Sequence, residues 1–269
     1  MGMAALKTGP ADDLDLRIGG AIATVVIDNI ALGNMLTAAA FARLLDICEA
    51  LRANGDIHVV VIRGAGPDIF CTGLLNPVLR GSMSKEDILA LVFRANAVFD
   101  AIEALPQVVI AGLNGLVRAG AAELALACDI RLATAHARLS MPEAKWGGFP
   151  GAGGPVRLPG VIGYARAMEL ICTAREIDSD EMLRIGFVER VVPSAEFDRV
   201  LSELAATIAS SGPLATRGAK RIMQVRTEPG FQAARELSDA LRRALEYSAD
   251  VYESIAAHRE GRLPKFSGR

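Results

Sequence analysis

Two glutamates stand where acid–base chemistry could be done. Glu123 lies in GLVRAGAAELALACDI, three residues after Gly120. Glu143 lies in LSMPEAKWGGFPGAGGPVRL, just ahead of a glycine-rich stretch, Gly147 to Gly154. Each follows a short apolar run, Val108–Leu113 before the first and Ile130–Ala133 before the second. If Gly120 opens a helix, its N–H is an unpaired donor at a helix N-terminus with no Cβ in the way. Such a donor stabilises anionic oxygen, including the enolate oxygen of an activated acyl group, and a second donor would complete an oxyanion hole. Glu123 falls near the same helix face as Gly120, so its carboxylate would sit beside the developing charge. The apolar neighbours Leu124 to Ala127 raise a carboxyl pKa and the helix dipole lowers it, so no net direction follows.

Each feature also has a plain structural reading. A glutamate in a first turn is often just a partner for the helix dipole. Pro142-Glu143 fits an ordinary helix start with proline at its first position. The GAGG of residues 151–154 is no phosphate loop, because no GK[ST] follows, and Gly64–Gly66 lacks the dinucleotide spacing. Cys71 has no nearby histidine to activate it and reads as a buried hydrophobe. No GxSxG elbow is present.

The elements that must position these residues alternate. Leu14–Ile18 and Ala21–Asp28 read as a hairpin turning at Gly19-Gly20. Thr37 caps a helix to about Ala53, with Phe41, Leu44, Leu45 and Ile47 as its apolar positions. His58–Ile62 is a β-branched run suited to a strand covered on both faces. Ile69–Gly73 follows, then a helix capped by Ser84 that runs to Leu105 and stops at Pro106. Recurring strand–helix–strand units predict an α/β protein with largely parallel strands. The second half reads as helix over Gly160–Thr173 and Ser179–Ile185, one last strand over Phe187–Pro193, and then helices from Ser194. Breaks are expected at Ser211–Pro213 and Pro229-Gly230.

The 269 residues carry a net charge of −2 and are 51% apolar. That excludes a disordered chain and gives no basic surface for nucleic acid or an anionic membrane. No apolar run reaches bilayer length and no signal-peptide pattern opens the chain, so a cytoplasmic location is expected. The four cysteines, Cys48, Cys71, Cys128 and Cys172, form no CxxC pair and suit buried positions in a reducing compartment. The three histidines lack metal-ligand spacing, so no metal is expected.

In order and spacing, NGLVRAGAAELALACDIRLAT, SMPEAKWGGFPGAGGPVRLPGVIG, TAREIDSDEMLRIGFVERVVP and the terminal RLPKFSGR resemble the enoyl-CoA hydratase/isomerase (crotonase) superfamily, from about Leu14 to Arg269. The resemblance implies a crotonase-like spiral of ββα units over residues 14–194, after a loose tail over 1–13. A helical region over 195–269 would drive trimers or dimers of trimers. It implies an acyl-CoA thioester substrate, with coenzyme A as part of that substrate and no separate cofactor. By motif, the oxyanion donors fall at Leu74 and Gly120 and the catalytic glutamates at Glu123 and Glu143. Gly151 matches the glycine lining the water and α-carbon pocket. Ala31, Leu32, Thr72 and Gly73 match the segments that hold the CoA end, and Lys265 and Phe266 lie in a tail that approaches it.

Three places depart from the pattern. Gly73-Leu74-Leu75-Asn76 stands where the family usually has GAD or GGD. Any non-proline residue keeps its N–H, but two leucines and no Asp alter the pocket mouth. Arg118-Ala119-Gly120-Ala121 replaces a run of glycines. Asp28-Asn29-Ile30 lacks the basic residue often found near the CoA phosphates. With both glutamates present, the resemblance favours hydration of 2-enoyl-CoA. Double-bond isomerisation, which needs only the Glu143-type carboxylate, is the alternative, beside another acyl-CoA hydrolase or lyase reaction and a non-catalytic acyl-CoA binder.

Overall fold

The computed structural model describes residues 13–227 and 231–265. Strands β1 (Leu14–Gly19) and β2 (Ile22–Ile27) form the expected antiparallel hairpin, with Gly20 at φ +60° in its turn. Helix α1 (Ala38–Ala53) starts at Thr37, whose hydroxyl accepts from Ala40 N–H at 3.1 Å. It buries Phe41, Leu44 and Ile47, but Leu45 is exposed, contrary to expectation. Leu45 lies one step, about 100°, past Leu44 and falls off the buried stripe. Strands β3 (Val59–Gly64) and β4 (Ile69–Cys71) come next, then helices α2 (Pro77–Ser82) and α3 (Lys85–Glu103). Asn76 caps α2 by accepting from Leu79 N–H, and Ser84 caps α3 by accepting from Asp87 N–H. Strand β5 (Val108–Leu113), strand β6 (Leu116–Arg118), helix α4 (Gly120–Leu126), strand β7 (Ile130–Thr134) and strand β8 (Arg138–Ser140) then lead to a 3₁₀ turn, Pro142–Trp146.

The helix expected over Gly160–Thr173 is instead two. Helix α5 (Gly154–Ile162) ends at Gly163, whose φ of +83° breaks the helical path, and α6 (Tyr164–Thr173) starts afresh. Strand β9 (Glu176–Asp178), helix α7 (Ser179–Ile185) and strand β10 (Arg190–Val192) follow. The last strand is thus shorter than Phe187–Pro193. Helices α8 (Phe197–Ala209), α9 (Pro213–Thr227), α10 (Phe231–Glu246) and α11 (Ala249–Glu260) complete the chain. The break expected at Pro229-Gly230 lies outside the described residues.

The strands form two sheets. The larger has the order β1-β2-β3-β5-β7-β10 and is parallel except for the first hairpin; the smaller is β4-β6-β8-β9. Within the smaller sheet β4, β6 and β8 run parallel, and only β9 is antiparallel. The inner strands of the larger sheet are largely apolar because both faces are covered, with Arg63 of β3 and Arg131 of β7 as charged exceptions. On one face lies the main core, which includes Phe41, Phe70, Phe99 and Phe187; on the other, α8 packs Phe197, Leu201 and Ala205 against Val59, Val61 and Ile110. Cys48, Cys71 and Cys128 are buried as expected, whereas Cys172, on the outer face of α6, is exposed. Among the described residues no helix is long and apolar enough to cross a membrane.

Candidate active site

The smaller sheet delivers the site. Register pairs Cys71 of β4 with Val117 of β6, and Arg118 of β6 with Ser140 of β8. The three strands are parallel, so the chain leaves all of them at one edge. Leu74, Gly120 and Glu143 each follow their strand within a few residues and converge there, as ligand-binding segments do at the carboxyl ends of parallel strands. Ala119 makes the turn into α4 with φ +54° and ψ −128°, an unusual conformation for alanine, held by its N–H donating to Ser140 O at 2.9 Å. That turn frees the first N–H of α4.

Leu74 and Gly120 meet closely. A Cβ on Gly73 would lie 2.9 Å from Gly120 N, and one on Gly120 would lie 3.7 Å from Leu74 N. With φ +92°, Gly73 also adopts a backbone conformation that glycine tolerates best. Among the described residues neither the Leu74 N–H nor the Gly120 N–H donates to a protein acceptor. The Leu74 side chain is buried against Gly120, where the departure from the usual motif had pointed to an altered pocket mouth. Asn76, one residue past the position of the missing Asp, caps α2.

Glu123 is buried, and its Oε1 accepts from Gly154 N–H, the start of α5, at 2.8 Å. Burial pushes its pKa up to about 7 against the pull of the Gly154 and Ala152 amides and of Arg157 and Arg242. So burial outweighs the opposing influences that the sequence left unranked. Glu143 enters from the 3₁₀ turn. Its Oε2 is buried and has no hydrogen-bond partner. Burial first, and the neighbouring Glu123 charge second, lift its pKa to about 8. Glu123, Glu143, Gly151, Leu74 and Gly120 all line one cavity of about 40 Å³, room for a few waters. Two carboxylates of raised pKa beside two free amides can hold and move a proton next to a stabilised oxyanion.

Several residues that support this site carried no sequence signal. Arg157 is buried and bridges Asp100 and Glu103 of α3, clamping the α5 start that positions Glu123. Asn96 Nδ2 donates to Gly151 O at 3.0 Å and fixes the glycine loop. Arg80 and Arg242 line the cavity from α2 and α10. Arg118 lies over the Trp146 ring, 5.7 Å from its centroid. Arg118 and Arg157 fall inside the quoted motifs without a role assigned to them, whereas Asn96, Arg80 and Arg242 belong to no motif and only the fold brings them in.

Other expected positions lie apart from the carboxylates. Ala31 and Leu32 form an exposed 3₁₀ turn, joined to β4 through Thr72, whose hydroxyl donates to Gly33 O at 3.0 Å. They do not line the cavity. Lys265 is exposed and donates its backbone N–H to Glu253 Oε1 at 2.7 Å. Phe266 lies outside the described residues.

The chain matches the enoyl-CoA hydratase/isomerase family over residues 17–269. It is 32% identical over 247 residues to the putative enoyl-CoA hydratase/isomerase YngF of Bacillus subtilis, covering 92% of this chain and 95% of that protein. It is 33% identical over 225 residues to the mitochondrial methylglutaconyl-CoA hydratase of Rattus norvegicus, covering 82% and 71%. The solved enoyl-CoA hydratase from Bacillus anthracis has the same fold, with a TM-score of 0.77 at 32% identity over 96% of this chain and 100% of its own. With two sheets, a site at one sheet edge and a family match that runs from β1 through the C-terminal helices, the chain belongs to the enoyl-CoA hydratase/isomerase family of the crotonase superfamily.

Proposed function

We propose that this protein hydrates 2-enoyl-CoA thioesters to 3-hydroxyacyl-CoA. The observation that carries this reading is the pairing of two carboxylates, both with raised pKa, in one cavity beside the free N–H groups of Leu74 and Gly120. The thioester oxygen enters between those amides, which take up enolate charge as it forms. Glu123, fixed by Gly154, orients and deprotonates a water for attack at the β-carbon. Glu143 then delivers the proton to the α-carbon. At neutral pH the pair keeps about one proton, so one group serves as base while the other serves as acid. Coenzyme A is the handle of the substrate and leaves with the product.

Isomerisation of a 3-enoyl to a 2-enoyl thioester is the second reading, because one carboxylate of the Glu143 type suffices for it. Incubation with crotonyl-CoA, followed by loss of the absorbance of the conjugated thioester, separates the two. Rapid loss is expected. No loss with short- or medium-chain 2-enoyl-CoA, together with gain of that absorbance from 3-enoyl-CoA, overturns hydration in favour of isomerisation.

A further inference from the structure

The cavity also holds a charge arrangement that hydration of a simple alkenyl thioester leaves unused. Arg80 of α2 and Arg242 of α10 are 5% and 3% exposed. Both bind the same Oε2 of the fully buried Glu246, at 2.7 and 2.9 Å, while Lys85 approaches its Oε1 at 3.4 Å. Three cations therefore share one carboxylate in a dry setting, where unmatched charge is costly. Glu123 and Glu143 do not make up the balance, since burial keeps a proton on the pair.

Geometry points the excess inward. A Cβ built on Gly148 would lie 3.4 Å from Nη1 of Arg80 and 3.4 Å from Nη1 of Arg242, so both guanidiniums converge on one spot. The buried Nε–H of each has no hydrogen-bond partner. Both side chains line the cavity that holds the two glutamates. With Nη2 of each arginine on Glu246, the two converging Nη1 groups can each give one charge-assisted hydrogen bond to a further carboxylate.

We propose that Arg80 and Arg242 receive a carboxylate carried on the acyl chain, so that the preferred substrate is the CoA thioester of a short unsaturated dicarboxylic acid. This rests on the acyl-CoA reading above. An alkyl terminus leaves the two arginines with no carboxylate beyond Glu246, and sites built to hydrogen-bond discriminate strongly against ligands that cannot.

Isothermal titration calorimetry tests this without turnover, using saturated thioesters: butyryl-CoA and the five-carbon thioester with a terminal carboxylate, glutaryl-CoA. The wild-type protein is expected to bind the second about 100-fold more tightly. Arg80→Gln and Arg242→Gln are each expected to erase most of that ratio, and Arg242→Lys, which keeps the charge but loses the fork, to leave an intermediate one. Equal or weaker binding of the carboxylate thioester by the wild type overturns the proposal while leaving the CoA-thioester reading intact. Failure of both ligands to bind overturns both. Should the arginine variants fail to fold, the wild-type ratio alone decides.

Discussion

The Leu74 side chain fills the space that a Cβ on Gly120 would need. Two donors of the candidate oxyanion hole are thus held together by a side-chain-to-glycine contact. Gly120→Ala keeps its N–H but sets a Cβ against Leu74, and misplacing the two amides by about 1 Å is expected to lower kcat for 2-enoyl-CoA hydration about 100-fold. The obstacle is the tip of a flexible side chain rather than backbone, so the fold should survive with a similar melting temperature. Adding Leu74→Ala should restore part of the rate. An unchanged kcat in Gly120→Ala would show that the Leu74–Gly120 contact does not set the spacing of the two amides.

Glu123→Gln and Glu143→Gln should each lower hydration by at least about 100-fold, as general acid–base groups do. Steady-state rates on crotonyl-CoA check this. Full hydratase activity in Glu123→Gln would sink the two-carboxylate mechanism.

The raised pKa values set a pH dependence. Both groups titrate in the folded protein above their ordinary 4.5, at about 7 and about 8. The native state therefore binds protons that the unfolded chain has released. Their contribution is fully present below about pH 4.5 and is lost as pH rises through the folded values. Chemical denaturation of the Glu123→Gln/Glu143→Gln variant should show a smaller loss of stability between pH 5 and pH 9 than the wild type shows. Parallel curves would contradict it. In the wild type, kcat/KM should peak near neutrality, with both limbs belonging to the pair rather than to either residue alone.

Asn34 ties the segment that leads into α1 to β4. Its Nδ2 donates to Ala65 O at 2.9 Å and Ile69 O at 2.8 Å, its Oδ1 accepts from Asn29 N–H at 3.1 Å, and its φ is +54°. Asn34→Ala removes the side-chain donor of the Ala65 carbonyl, one of the two of the Ile69 carbonyl and the acceptor of the Asn29 N–H, and keeps an unfavourable backbone angle. It should cost about 2–3 kcal/mol of stability, measurable by urea denaturation. A loss below about 0.5 kcal/mol would show that water replaces the amide.

Much of this molecule is legible in short stretches of sequence. The turn at Gly20, the caps at Thr37 and Ser84, and the stop of α7 at Gly186 follow from backbone preferences that a few neighbouring residues set. So does Glu123 one turn into a glycine-led helix. Misreadings came where a local signal was absent or weak: Leu45 at the edge of a helical stripe, and a helix split at Gly163.

The sequence by itself determined the start of α4 that carries Gly120 and Glu123, because hydrophobic period, glycine and capping chemistry act within one or two turns of chain. It missed β6 and β8, whose three residues each are too few to show a period and which bring Gly120 and Glu143 to the site in place of the expected runs Val108–Leu113 and Ile130–Ala133. Only the tertiary structure decided that β4, β6 and β8 exit side by side, that burial lifts the carboxyl pKa values, and that Arg80 and Arg242 meet over one glutamate. Those properties depend on distance and on the exclusion of water, which residues more than 160 positions apart share only once the chain has closed around them.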